Sequence, residues 1–149
     1  MKVFEDYFSE LQADMVSICL EYSQKLVNKI YIYCSYEPES YFTNVFFECN
    51  GKYAKKHKIN DILDDKLIDV SSNRQQGVLR IIVDDLREIH KKCKEFDRDM
   101  PTEIKMVYDV KKNSLEANYK NELIYSNDDE ILPDDIFNAW FEEISNSQQ

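Results

Sequence analysis

The chain has 149 residues, 43% of them apolar and 13% aromatic, with only two glycines and three prolines. That size and composition allow a core to be buried without disulfides or a structural metal, and they exclude a disordered or linker-rich protein, so one domain is expected. A formal charge of −10 argues against nucleic acid or an anionic membrane as partner, because phosphate binding is driven by lysine and arginine.

No segment approaches the roughly 20 apolar residues of a membrane span. The opening Met1–Asp6 carries no signal-peptide run, so a cytoplasmic protein is expected. From Val3 to Leu26 the residues Phe4, Tyr7, Phe8, Leu11, Met15, Ile18, Cys19, Tyr22 and Leu26 recur at helical steps, which predicts an amphipathic helix with one apolar stripe. Lys29–Tyr36 is β-branched and aromatic, and Glu37-Pro38-Glu39-Ser40 ends it as a turn before a second strand over Tyr41–Glu48. Asn50-Gly51 is a strong hairpin signal and leads into a third strand, expected over Lys52–Ile59. The three strands should form an antiparallel meander.

Residues 60–73 read as a surface connection with one short helical turn at most. Val78, Ile82, Leu86, Ile89, Cys93 and Phe96 then predict a long helix over Arg74–Phe96. Gly77 costs such a helix about 1 kcal/mol relative to Ala, which favours a late start. Ile104, Met106, Tyr108 and Val110 alternate with polar neighbours as a half-buried strand. Lys111–Ser114 turns the chain into Leu115–Tyr119. Pro133 suits a first helical position, Asp134 and Asp135 suit the positive end of the macrodipole, and Ile136, Phe137, Trp140, Phe141 and Ile144 share one face. The predicted class is α+β, a mainly antiparallel sheet of about five strands packed with an N-terminal helix, a long central helix and a short C-terminal helix.

Catalytic equipment is sparse. Cys19, Cys34, Cys49 and Cys93 are far apart, lack any C-x-x-C spacing and read as buried free thiols. His57 sits among lysines as a surface group, and His90 beside Ile89 reads as a structural histidine. Two glycines leave no phosphate-cradling loop, and no G-x-S-x-G or H-E-x-x-H occurs. No enzyme, cofactor, metal or small-molecule substrate is expected.

The informative segment is the acidic one. Residues 121–149 contain eight acids and no Lys or Arg, so this segment alone carries −8. Asp128, Asp129, Glu130, Asp134 and Asp135 could be read as a hard-cation site, but the glycine of a tight calcium loop is missing. Read plainly, they form a solvated face. Acids flanking Trp140 and Phe141 on both sides instead suggest a negative rim around an aromatic anchor, or around the support of one, suited to a basic protein surface. Lys52, Lys55, Lys56 and Lys58 form a smaller, opposite patch and a secondary candidate interface, fitted to an acidic surface.

The stretches Lys29–Glu37 (KIYIYCSYE), Asn44–Lys52 (NVFFECNGK), Met100–Val110 (MPTEIKMVYDV) and Tyr125–Ile144 (YSNDDEILPDDIFNAWFEEI) resemble, in order, the YezG-type immunity proteins of bacterial polymorphic toxin systems. Where many members carry a Trp before the first strand, this chain has Lys25-Leu26-Val27-Asn28-Lys29. The resemblance implies a small non-catalytic protein that binds and blocks the C-terminal domain of a cognate toxin, often a nuclease with a basic cleft. The toxin-binding candidates are Asp128, Asp129, Glu130, Asp134, Asp135, Trp140 and Phe141. The competing expectation is a non-catalytic adaptor for a basic protein unrelated to toxins.

Overall fold

The computed structural model describes residues 2–37, 40–64, 67–124 and 130–147. Its elements are α1 (Phe4–Ser23), β1 (Lys29–Tyr36), β2 (Tyr41–Cys49), β3 (Lys52–Lys55), a 3-10 turn (Lys56–Asp61), α2 (Ser72–Glu95), β4 (Glu103–Asp109), β5 (Ser114–Lys120) and α3 (Pro133–Ser147). The five strands form one antiparallel sheet in the order β3-β2-β1-β4-β5, and the class is α+β.

The Asn50-Gly51 hairpin forms where expected. Both residues have positive φ, 53° and 83°, the backbone that a tight β-hairpin needs and that Gly adopts without strain. Alternation along β1 then sorts its side chains. Ile30, Ile32 and Cys34 face α1 and α2, where Val45, Phe47, Ile104 and Met106 join the helical stripes of Met15, Val16, Cys19, Val78, Ile82, Leu86 and Ile89. Tyr31 and Tyr33 point to the other face, which α3 covers.

Three boundaries differ from the sequence reading. The third strand stops at Lys55, and Lys56–Asp61 is a 3-10 turn. Continued as a strand, Ile59 would fall on the face opposite Ala54. The tight turn swings it into the same core as Ala54, where it is fully buried, and the Tyr22 hydroxyl donates to the Lys56 carbonyl at 2.7 Å. α2 begins at Ser72, not late: Ser71 caps it by accepting from the Arg74 amide at 3.4 Å, and Gly77 lies inside the helix. α1 ends at Ser23 rather than Leu26, because Gln24 and Lys25 take positive φ (53° and 58°) and close its carbonyls.

All four cysteines are free and buried, and burial pushes the Cys19 and Cys34 thiols well above their ordinary range. An acid is buried in this layer: Asp85 on α2 is 9% exposed, facing Asp14 of α1. Burial, hydrogen bonding with Asp14, the Asp14 charge and then the Asp84 charge all raise its pKa. A proton on Asp85 lets it donate to the exposed Asp14 carboxylate and removes the repulsion between the two. Because the folded pKa lies above the unfolded one, the folded state holds the extra proton between the ordinary value of 3.8 and about 8, and stability falls as pH rises through that window. Asp85→Asn supplies a permanent donor to Asp14. At pH 8 it should raise stability by on the order of 1 kcal/mol, about 3 °C in Tm for a chain of this size, and should flatten the pH dependence. A thermal melt series from pH 5 to pH 9 checks this, and identical pH profiles for both proteins would refute it.

Candidate functional site

The face of the sheet opposite α1 and α2 is built around Phe46. Its ring stacks flat on Tyr31, its cross-strand partner, with centroids 4.4 Å apart. Phe137, Trp140 and Phe141 of α3 meet Phe46 edge to face at 5.9, 5.1 and 5.1 Å, the geometry that ring quadrupoles favour. Tyr33 and Tyr31 complete the seat for Trp140 at 6.2 and 5.8 Å. Phe137 and Trp140 are 1% and 6% exposed, so Trp140 supports the acidic surface from beneath rather than projecting from it. Phe141 is half-buried at the margin.

The lysine cluster is divided by this arrangement. Lys55 turns under α3: its Nζ donates to Asn138 Oδ1 at 2.7 Å and lies 5.3 Å from the Phe141 ring centroid. Lys56 donates to Asn44 Oδ1 at 2.9 Å; burial lowers its pKa, and the Asp134 carboxylate works against that shift. Lys105 of β4 lies 5.5 Å from the Trp140 ring centroid. Lys52 and Lys58 stay exposed. His57, exposed beside them, is held below its ordinary pKa by partial burial and then by Lys56, Lys58 and Lys55. The basic patch and the acidic helix are therefore neighbours, with two of the four lysines engaged by α3.

Asp128 and Asp129 lie outside the described residues. Glu130, Asp134 and Asp135 are exposed. Asp135 has an internal duty, since its Oδ2 accepts from the Leu132 amide at 2.9 Å while its own amide donates to the Leu132 carbonyl at 2.9 Å. That is one half of a capping box at the start of α3. Asp134 faces Lys56. Glu142 and Glu143, counted in the acidic segment but not chosen as candidates, are exposed with Ala139 on the side of α3 opposite Phe137, Trp140 and Ile144. The helical repeat alone would have selected them, because positions 135, 139, 142 and 143 share one face.

Two buried polar residues hold the chain leading to α3, and neither stood out in the sequence. Glu37, read there as a turn residue, is 2% exposed and accepts from the Ile124 amide through Oε1 at 2.6 Å. The Thr102 hydroxyl bonds to the Glu122 carbonyl at 2.6 Å. Glu103, also 2% exposed, accepts from the Tyr33 hydroxyl at 2.8 Å, with the Lys105 and Lys120 ammonium groups 3.9 Å away. His90 is structural: its Nδ1 is 2.7 Å from the Tyr41 hydroxyl, and its ring packs on Tyr36. Among the described residues, no three His, Cys, Asp or Glu side chains converge as a metal site would require. The site can offer a rigid helix whose outer charges are all carboxylates.

Phe46→Ala should cost about 3–5 kcal/mol and loosen α3 first. Trp140 is the only tryptophan, so its emission should shift to the red while the far-UV signal of the sheet persists. An unshifted emission would mean that α3 is held some other way. Glu142→Gln and Glu143→Gln should stay within about 0.5 kcal/mol of the parent, as exposed substitutions do. Comparison with protein-family models and with curated proteins returns no match for this chain.

Proposed function

We propose that the protein is an immunity protein that neutralises a cognate bacterial toxin domain, a nuclease, by docking the acidic outer face of α3 over or beside the toxin's basic cleft. The observation that carries this reading is the two-sidedness of α3. One side is locked to Phe46 and Tyr31 by aromatic contacts, and the other bears Asp135, Glu142 and Glu143, with Asp134 at its margin beside Lys56 and no Lys or Arg anywhere on the helix. A helix fixed before binding loses little entropy on docking, and a run of carboxylates steers a cationic surface toward it. The resemblance of the Tyr125–Ile144 block to YezG-type immunity proteins supports the same reading from the sequence. No turnover or cofactor is involved.

Survival is the primary test. Cells expressing the C-terminal domain of the toxin encoded beside this gene should die alone and live when this chain is co-expressed. Failure to rescue would overturn the immunity reading and favour an adaptor for another basic protein. The acidic face is tested separately with Asp134→Asn, Glu142→Gln and Glu143→Gln combined, which leaves the Asp135 cap intact. Association with the toxin domain at low salt should slow by about tenfold or more, and its salt dependence should flatten. Unchanged association kinetics would remove α3 from the interface.

A further inference from the structure

The sheet has two edges, and they are not alike. β3 has four residues and runs directly into the 3-10 turn. β5 has seven, six of them exposed, and among the described residues no strand pairs with its outer side. An open edge offers a row of unpaired amides and carbonyls, which proteins ordinarily blunt with proline, bulges or inward charges. Ser114–Lys120 has no proline and pairs in unbroken register with β4. It is an unblocked edge.

Its side chains are complementary to themselves. Glu116, Asn118 and Lys120 lie on the α3 side of the sheet, and Leu115, Ala117 and Tyr119 on the α1 side. Two copies of β5 related by a two-fold axis at Asn118 run antiparallel, with Glu116 opposite Lys120 twice and Asn118 opposite Asn118. On the other side, Tyr119 lies opposite Ala117. An axis at Glu116 or at Lys120 would set like charges against each other, and one at Ala117 would leave Glu116 facing Asn118. Tyr119 is already positioned, its ring 5.5 Å from Phe8 and its hydroxyl 2.9 Å from Gln12 Nε2, yet it remains 45% exposed. The acid-rich helix packs mainly on Tyr31, Tyr33 and Phe46 of β1 and β2, away from this edge, and one Glu with one Lys leaves β5 itself neutral.

We propose that a second copy of this chain pairs with the outer edge of β5, in the register centred on Asn118, to give a dimer with a continuous ten-stranded sheet. This inference is independent of the toxin-binding reading.

The test uses two charge variants, both at exposed positions. Glu116→Lys alone places lysine opposite lysine, and Lys120→Glu alone places glutamate opposite glutamate. Sedimentation equilibrium should show the parent as a dimer and each variant weakened at least about tenfold in self-association. Far-UV circular dichroism should show both variants still folded, with Lys120→Glu melting below Glu116→Lys because it also removes a cation 3.9 Å from the buried Glu103. Mixing the two variants should restore a dimer, because every 116–120 pair is then of opposite charge. A parent that is monomeric at millimolar concentration would overturn the proposal. So would a dimer indifferent to Glu116→Lys, or a mixture that fails to recover.

Discussion

Burial of β1 on both faces is the constraint from which the rest follows. It pairs with β2 on one side and β4 on the other, and its residues Ile30 to Ser35 are all buried. A strand so placed cannot leave either face of its sheet wet. α1 and α2 together cover the aliphatic side. The aromatic side, with Tyr31, Tyr33 and Phe46, is left to α3. The C-terminal helix is therefore a structural layer first, and whatever its outer face binds is presented on a foundation the core requires.

Much of this was legible because the periodicities were clean. The β-branched and aromatic run of β1, the alternation in β4, the Asn50-Gly51 turn and the three- and four-residue steps in α1, α2 and α3 each respond to one local rule. Failures occurred where tertiary contacts outweighed local pattern. The run after Ala54 is compatible with a strand until one asks which face Ile59 must reach, and only the core answers that. α2 starts early because Ser71 caps it, a local signal that the sequence reading did not use, since it weighed only the cost of Gly77. The candidate site was half visible. Trp140 and Phe141 were flagged with their roles open, whereas the duties of Asp135 and Lys55 depend on partners found only in the folded chain.

The charges are less segregated than composition suggests. Lys55, Lys56 and Lys105 approach α3 from the sheet side, through Asn138, Asp134 and the Trp140 ring. They partly offset the repulsion that a net charge of −10 imposes on a compact state. Glu142 and Glu143 are left facing solvent with no cation from their own helix. The arrangement separates a neutralised inner side of α3 from an unscreened outer one.

The interlock of Phe46 with Trp140 also sets an order of events in synthesis. The two residues are 94 positions apart. At about 5–20 residues per second, the aromatic face of β1 and β2 waits on the order of 5–20 s for its cover to be made. During that interval β1, β2 and β3 can pair and α1 and α2 can close the aliphatic side, leaving a half-finished sheet with Tyr31, Tyr33 and Phe46 in water. A ribosome stalled before Pro133 would release a sticky intermediate with one bare aromatic face, and chaperone dependence of this chain should concentrate in that interval.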